Sequence, residues 1–254
     1  MAERKKAEVA LREADQQKDR FLAMLSHELR NPLSPIRNSV HVLRHAGASD
    51  AQMDRALGII ERQTEHLTRL VDDLLDVTRI ARGKVALHPV PTDLREVVLR
   101  AAEDFQNVLD ERGNVFQTFV PDEEIRADVD PVRITQVIGN LLHNAAKFTG
   151  PGDRVTLSLR AVPGGGEIRV RDTGAGIDPD LLVSIFEPFV QGQRTLARTH
   201  GGLGLGLALV RGITELHGGT VRVESAGRGR GAEFVIALPA SATAVDGAGR
   251  RASL

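Results

Sequence analysis

The chain of 254 residues contains no cysteine, which excludes a disulfide framework, a thiolate metal site and a cysteine nucleophile. It also lacks tryptophan and tyrosine, so we do not expect a base-stacking surface for nucleic acid. Basic and acidic residues nearly cancel, at 33 against 34, and give no argument for a nucleic acid or an anionic membrane as partner. No apolar run approaches the roughly 18 residues that span a bilayer, and no signal peptide opens the chain. We therefore expect a cytoplasmic chain without a membrane segment, with any membrane anchor of the full-length protein upstream.

Among the patterns that are present, the first is an amphipathic helix around His27. Apolar residues recur there at steps of four or three, the period of one helix face. At about 100° per residue, His27 lies opposite the centre of this stripe and is expected to face solvent. Glu28 is its neighbour, and Asn31 follows one turn later on nearly the same face. An exposed imidazole beside a carboxylate can be a nucleophile with its base or an ordinary surface histidine, and this stretch alone leaves both open. The stripe consists of Phe21, Leu25, Leu29, Leu33, Ile36, Val40 and Leu43.

The first eighty residues predict two long helices that form an antiparallel hairpin. Residues 1–20 are strong helix formers and extend the first helix upstream, either as a two-stranded coil or as a solvated helix end. Pro32 and Pro35 predict a bend in this helix, one turn after the histidine. The sequence GASD at 47–50 ends it, and a second helix over 51–80 repeats its apolar residues with the 3.5-residue period of a bundle. Its apolar stripe is wider than one partner helix covers, so we expect two copies to form a four-helix bundle.

After residue 82 the pattern changes to strands mixed with helices. This order predicts an α/β sandwich, a mixed sheet with helices on one face. A short edge strand is expected in VALHPV (85–90), and Thr92 is expected to cap the first helix of this part. The tail at 241–254 has little apolar bulk and is expected to be disordered. The predicted helices span 93–111, 130–147 and 203–217, and the predicted strands span 115–120, 125–129, 154–162, 166–173, 220–226 and 232–239.

The segment NLLHNAAKFT at 140–149 places two amides and an ammonium group on one helix face. Asn140 and Asn144 are four residues apart, and Lys147 follows three residues later. Paired amides can complete the coordination of a magnesium ion that phosphates already hold. Taken alone, the same pattern also describes a helix whose polar face is simply solvated.

Two glycine-containing segments follow. Asp172 ends a predicted strand and precedes Gly174 and Gly176, so its carboxylate could accept a hydrogen bond from an exocyclic amine such as that of adenine. A tight turn explains the same residues. The segment GGLGLG at 201–206 precedes a predicted helix, where backbone N–H groups can bind phosphate. Nearby, Arg198 and His200 either add positive charge to a phosphate site or are merely solvated. FEPFVQ at 186–191 is an apolar patch in an otherwise polar loop. We interpret it as a packing plug for that loop rather than as a docking surface.

Taken in order, five motifs resemble the transmitter core of a bacterial two-component sensor histidine kinase. The resemblance covers about residues 15–240. It implies an N-terminal signalling helix (1–20), a dimerisation and histidine phosphotransfer domain (21–82), a Bergerat-type ATP-binding domain (83–240) and a tail (241–254). The motifs are HELRNP at 27–32, NLLHNAAKFT at 140–149, DTGAGI at 172–177, FEPF at 186–189 and GGLGLGLA at 201–208.

The resemblance also implies a role for each residue of these motifs. His27 would accept the phosphoryl group, Glu28 would be the general base, and Asn31 would orient water for dephosphorylation of a partner response regulator. Asn144 would ligate Mg²⁺. Residues 190–202 would form a mobile ATP lid. The implied ATP-binding residues are Asn140, Asn144, Lys147, Asp172, Gly174, Gly176, Ile177, Arg198, Gly202, Leu203, Gly204, Leu205 and Gly206.

The implied activity is an ATP- and Mg²⁺-dependent protein-histidine kinase that is a homodimer through residues 21–82 and acts on a response regulator. Related ATPases that hydrolyse ATP carry a glutamate where Asn140 stands, and an amide cannot deprotonate water, so transfer to histidine is favoured over hydrolysis. Ala232 departs from the threonine that is frequent in the family. A scaffold that only docks regulators and a transmitter that is mainly a phosphatase remain alternatives. Because the chain begins within a helix of the kind that follows a sensor, we expect an isolated kinase core or a piece of a longer protein.

Overall fold

The computed structural model describes the backbone of residues 2–44, 49–190 and 203–241, and side chains from Leu22 onward within these ranges. The predicted tail and the residues Arg198, His200 and Gly202 lie outside the described residues. The chain divides into two compact units between Leu75 and Asp76, except that Leu203 is assigned to the first unit. Within the described residues, no helix combines the length and the apolar character needed to cross a membrane.

The first unit is the predicted helical hairpin. Helix α1 (Ala2–Arg44) runs without interruption through Pro32 and Pro35, and the bend expected at these prolines stays a prediction. Helix α2 (Asp50–Ala81) begins where the Ser49 carbonyl accepts hydrogen bonds from the N–H groups of Gln52 and Met53. In return, the Gln52 side chain accepts from the Ser49 N–H at 2.9 Å, which is the reciprocal half of a capping box.

Several apolar side chains of the hairpin remain exposed in the single chain. Leu33 is 53% exposed on α1, and Leu57 is 55% exposed on α2. In contrast, Ser39, Ala56 and Leu70 are buried. The hairpin therefore buries some of its side chains, yet part of the predicted stripe is left uncovered.

The second unit confirms the predicted mixed sheet with helices on one face. The strands are β1 (Val90–Asp93), β2 (Val115–Phe119), β3 (Arg126–Val129), β4 (Arg154–Val162), β5 (Gly165–Asp172), β6 (Thr220–Glu224) and β7 (Ala232–Pro239). Five of them have the order β2–β4–β5–β7–β6, in which β2 and β4 are parallel and the other neighbours are antiparallel. A separate antiparallel pair joins β1 to β3. The helices are α3 (Leu94–Glu111), α4 (Pro131–Phe148), the short α5 (Pro179–Leu182) and α6 (Gly206–Leu216).

Helix α4 lies at the centre of this unit and packs against both α3 and α6. Its start lies within one residue of the predicted helix at 130–147. The Asp130 carboxylate accepts from the N–H groups of Val132 and Arg133 at 3.1 and 3.2 Å, and Pro131 occupies the first turn. Its inner face contributes Ile134, Ile138 and Leu142, each fully buried. The core therefore fixes the helix that carries the amide motif.

Three local predictions were wrong. The residue that caps α3 is Asp93 rather than Thr92, because the Asp93 carboxylate accepts from the Arg95 N–H at 3.1 Å. The edge strand begins only at Val90, so most of VALHPV lies outside it. Helix α6 begins at Gly206 rather than at residue 203, because Gly204 has a φ of +68° and cannot continue a right-handed helix.

Candidate functional site

The candidate nucleophile His27 is exposed on α1, as the periodicity predicts. Glu28 is half-buried, and Asn31 is exposed one turn later. The preceding hydroxyl, Ser26 Oγ, donates to the Leu22 carbonyl at 2.8 Å within the same helix. These residues belong to the first compact unit, and the imidazole is open to an incoming reactant.

The amide motif has the predicted orientation on α4. Asn140, Asn144 and Lys147 are half-buried along one side of the helix. His143 lies on another side, where its ring meets the ring of Phe105 edge-on at 6.0 Å. The motif's histidine therefore packs against α3, and its amides are left for another partner.

Asn140 faces the start of α6. A Cβ added at Gly206 would lie 3.8 Å from the Asn140 amide oxygen, so the structure brings the amide motif to the last glycine of the GGLGLG segment. The Asn140 Nδ2 atom is buried, and no atom of the described residues accepts a hydrogen bond from it. A buried polar group without a partner is costly, and an oxygen-rich ligand at this position would supply the missing acceptor.

Asp172 is a buried carboxylate at the end of β5. The residue is 8% exposed, and its Oδ1 accepts from the Gly174 N–H at 2.9 Å. Burial raises the pKa of the Asp172 carboxyl above its usual range, and the negative charge of Asp153 acts in the same direction. The backbone N–H groups of Gly174 and Ala232 oppose this rise by stabilising the ionised form. Because burial of an ionised carboxylate costs free energy, Asp172 is a candidate binding residue.

The loop that starts at this carboxylate, the Asp172 loop (residues 172–177), is held between two stretches of backbone. On one side, the Phe148 carbonyl at the end of α4 accepts from the Ala175 N–H at 2.9 Å. A Cβ at Gly174 would lie only 2.2 Å from that carbonyl oxygen. On the other side, Gly176 has a φ of +66°, and its Cβ would lie 2.1 Å from the Gly227 oxygen. Only glycine fits either position without movement of the backbone.

The second of these stretches, the β6–β7 loop (residues 225–231), was not recognised from the sequence as part of the site. The Ser225 hydroxyl accepts from the Ile177 N–H at 3.0 Å and donates to the Gly231 carbonyl at 2.7 Å. The Gly231 N–H in turn donates to the Gly174 carbonyl at 3.2 Å. The available signal was the glycine repeat GRGRG at 227–231, whose side-chain-free residues permit close backbone contact.

The segment before α6 is anchored on the FEPFVQ motif. The Gly204 carbonyl accepts from the Phe189 N–H at 3.2 Å. Phe189 has a φ of +69°, the one positive value among the described non-glycine residues. Phe186 meets Phe234 edge-on at 6.3 Å and packs against the core, which confirms the packing-plug interpretation. Leu203 and Leu205 are both buried.

Together, these elements provide the chemistry of a nucleotide site. A buried carboxylate can accept from a base, and amides together with Lys147 can bind phosphate oxygens or an ion that they carry. The N–H groups in the first turn of α6 have no partner within the helix and favour an anion. Lys147 precedes Phe148, whose carbonyl accepts from the Ala175 N–H of the Asp172 loop, so the end of α4 lies next to that loop.

Two family models match the chain. Residues 17–83 match the "His Kinase A (phospho-acceptor) domain". Residues 129–242 match the "Histidine kinase-, DNA gyrase B-, and HSP90-like ATPase".

Individual proteins agree with these models. The mycobacterial sensor histidine kinase MprB is 33% identical, with a TM-score of 0.52 over 59% of this chain and 97% of that one. Full-length ShkA in complex with AMPPNP is 32% identical, with a TM-score of 0.63 over 87% of this chain and 46% of that one. The autoinducer 2 sensor kinase/phosphatase LuxQ of Vibrio parahaemolyticus is 31% identical over 92% of this chain and 28% of its own length. The chain spans between 15% and 45% of the curated relatives that it matches.

Proposed function

Because the chain belongs to the sensor histidine kinases and carries their transmitter core, we propose that it transfers the γ-phosphoryl group of ATP to His27 and then to an aspartate of a response regulator. The observation that carries this proposal is the combination, in one chain, of an exposed histidine on a helical hairpin and a nucleotide site with a buried carboxylate and an unpartnered amide. In the first step, the bond from the γ-phosphorus to the bridging oxygen of ADP breaks and a bond to an imidazole nitrogen forms. ADP leaves, and Glu28 takes the imidazole proton.

Asp172 is proposed to bind the exocyclic amine of adenine. Its Oδ1 already accepts from Gly174, so Oδ2 is the oxygen assigned to the base. Ile177, Gly174 and Gly176 would shape the walls of the base pocket. Phosphoryl transfer depends mainly on positioning and on neutralisation of charge, which the Lys147 ammonium and the N–H groups at the start of α6 would supply. Arg198 and Gly202 keep the roles that the resemblance implies, near the γ-phosphate and at the lid hinge.

The α4 amides fit a magnesium ion that arrives with the nucleotide. The donor set is two side-chain amides, Asn140 and Asn144, and Mg²⁺ in nucleotide sites takes few protein ligands because phosphates and water fill most positions. Asn144 is assigned as the ligand, and the unpartnered Nδ2 of Asn140 is assigned to a phosphate oxygen. The ion would neutralise phosphate charge.

A response regulator receiver domain is the proposed partner, and Asn31 is proposed to give the transmitter phosphatase activity toward it. Asn31 is exposed on the same helix as His27, one turn away. Its amide could therefore orient water beside a phosphorylated aspartate when the receiver occupies the His27 face. The relative LuxQ is a sensor kinase/phosphatase, which supports pairing the two activities.

The hairpin is proposed to form a homodimer. Leu33, Val40 and Leu57 are 53%, 41% and 55% exposed in the single chain, and a second hairpin would cover them in a four-helix bundle. Light scattering at micromolar concentration should give twice the chain mass. A monomeric mass under these conditions would contradict the proposal.

The decisive experiment is phosphoryl incorporation from γ-labelled ATP with Mg²⁺. His27→Gln should abolish the label and leave nucleotide affinity unchanged, because the site for ATP lies in the other compact unit. His41→Gln, an exposed histidine on the same helix, is the matched control and should label normally. Equal labelling of both variants would refute His27 as acceptor. Failure of the wild-type chain to bind ATP at all would favour the scaffold alternative.

A further inference from the structure

The last turns of α2 belong to the ATP-binding unit rather than to the hairpin. The division between the compact units falls between Leu75 and Asp76, within a helix that continues to Ala81. Val77 and Ile80 pack against the hydrophobic core of the second unit. The sequence boundary after residue 82 marks the end of helical periodicity, whereas the packing changes about two turns earlier.

A buried ion pair fixes this end of the helix. Asp76 is 7% exposed, and its Oδ2 accepts from Arg133 Nη1 at 2.6 Å and from Gln136 Nε2 at 2.9 Å. Both donors lie in the first turns of α4, the helix that carries Asn140 and Asn144. Hydrogen bonds between charged groups are the strong ones, and removal of one partner from a buried pair leaves a costly charge.

An apolar contact supports the ion pair. A Cβ added at Gly212 on α6 would lie 2.9 Å from Cγ2 of Ile80. Glycine is therefore needed for α2 to approach α6 this closely. The end of α2 thus contacts both helices whose faces form the phosphate side of the proposed nucleotide site.

The loop after α2 has both of its ends attached to the same unit. Helix α2 ends in a Schellman pattern, in which the Gly83 N–H donates to the Ile80 carbonyl and the Lys84 N–H donates to the Arg79 carbonyl. At its far end, the His88 N–H donates to the Asp130 carboxylate at 3.1 Å, just before β1. Residues 82–89 therefore leave the ATP-binding unit and return to it.

We propose that Asp76 and Ile80 are positioning residues for autophosphorylation. Through their contacts, helix α2 itself connects the hairpin to the ATP-binding unit. The loop at 82–89 does not act as the tether between them. This inference rests on the proposed function, because it concerns delivery of the γ-phosphoryl group to His27. The autophosphorylation rate should therefore not depend on the length of this loop as long as the Asp76 and Ile80 contacts are intact.

The test combines a loop insertion with loss of these contacts. Eight Gly/Ser residues inserted between Lys84 and Val85 double the eight-residue loop at 82–89. If a flexible loop were the tether, the effective concentration would fall with about the −3/2 power of its length, or roughly threefold. The autophosphorylation rate at saturating ATP should be unchanged by the insertion in the wild-type background. In the Asp76→Asn/Ile80→Gln background it should fall roughly threefold.

The matched control background is Asp72→Asn, which makes the same chemical change at an exposed position one turn earlier on α2. There, as in the wild type, the insertion should have no effect. ATP affinity should be the same in all variants, since none of the changed residues touches the nucleotide. A threefold fall on insertion in the wild-type background would overturn the inference, as would insensitivity of the Asp76→Asn/Ile80→Gln background.

Hydrogen exchange on the unaltered chain keeps the inference testable if the double variant does not fold. Amides of residues 77–81 should gain protection together with α4 when AMPPNP binds, because they belong to one cooperative unit. Amides of residues 60–70 should not. If the protection of residues 77–81 changed on AMPPNP binding only as much as that of residues 60–70, the assignment of the end of α2 to the ATP-binding unit would be refuted. If the wild-type chain takes no label from ATP, the proposed function fails, whereas the exchange result still decides where α2 is anchored.

Discussion

Replacement of Asp172 by asparagine should weaken ATP binding and stabilise the nucleotide-free protein. The two side chains have the same shape, so the fold is not disturbed. Asparagine Oδ1 keeps the acceptor role toward the Gly174 N–H, which the carboxylate fills at 2.9 Å. The amide NH₂ group then occupies the place of Oδ2. It meets the adenine amine donor to donor, and the base loses its acceptor.

The size of the effect follows from the bond that is lost. Hydrogen bonds to charged groups contribute about 1.5–3 kcal/mol, and about 1.4 kcal/mol is a tenfold change in affinity. Asp172→Asn should therefore raise the Kd of ATP by roughly 10- to 150-fold. Inosine triphosphate carries a carbonyl oxygen in place of the amine, and this oxygen can accept from the asparagine NH₂. The preference of the wild-type site for ATP over ITP should therefore shrink or reverse.

The stability change has the opposite sign. Burial raises the pKa of the Asp172 carboxyl in the folded state, so the folded protein binds a proton here more readily than the unfolded chain does. The ionised carboxylate therefore destabilises the nucleotide-free fold above that raised pKa, and stability increases as the pH falls through it. Asp172→Asn removes the ionisation, so its Tm should exceed that of the wild type at neutral pH. This difference should narrow in acid.

The assay is calorimetric titration with ATP and ITP, together with thermal unfolding from neutral to acid pH. ATP affinity of the wild type should fall in acid, at a pH above the ordinary titration range of aspartate, because protonation of Asp172 removes the acceptor. Asp180→Asn, an exposed carboxylate on α5, is the control and should change neither the ATP-to-ITP ratio nor the pH dependence. An unaltered ratio in Asp172→Asn would refute the assignment of this residue to the base.

Two further predictions concern the ends of helices. Asp130→Ala removes the cap of α4 and leaves the His88 N–H without its acceptor, so the free energy of unfolding in urea should fall by about 2–4 kcal/mol; a loss below about 1 kcal/mol would contradict this account. Asn31→Ala should autophosphorylate normally and dephosphorylate its response regulator more slowly. Asn38→Ala, exposed on the same helix, is its control, and equal dephosphorylation by both variants would remove Asn31 from that role.

Much of the fold could be predicted because its signals are local. The apolar spacing of α4 and the alternation in β4 and β5 are readable within short windows, and these elements have their predicted places to within a residue or two. The start of α6 was not predictable from apolar spacing alone, because the left-handed conformation of Gly204 depends on its contact with Phe189. The cap of α3 was misassigned by one residue, since Thr92 and Asp93 are both good caps and the strand pairing of β1 decides between them.

The candidate site also contains features that local sequence predicts and features that depend on long-range contacts. The amide face of α4 and the carboxylate at the end of β5 follow from motif spacing. The β6–β7 loop does not, because its contribution is close backbone contact with residues about fifty positions earlier. The anchoring of α2 by Asp76 was also invisible in sequence. A lone aspartate in a helix that is predicted to join a bundle gives no sign of the arginine, 57 positions later, that pairs with it.

The backbone contacts around the Asp172 loop have a consequence for inhibitors. Side chains added at Gly174, Gly176 or Gly231 would approach a carbonyl oxygen to between 2.0 and 2.2 Å, so substitutions there damage the pocket before they can exclude a drug. Few substitutions in the Asp172 loop or the β6–β7 loop could therefore give resistance to a compound that contacts their backbone. Such a compound also gains little selectivity from these contacts, because they involve main-chain atoms only. Discrimination should come from Ala232, which pairs with Asp172 across the sheet and lacks the hydroxyl of the threonine expected from the resemblance. If the proposed site binds the base as assigned, a methyl group directed at Ala232 should be accepted by this chain and rejected by relatives that carry threonine there.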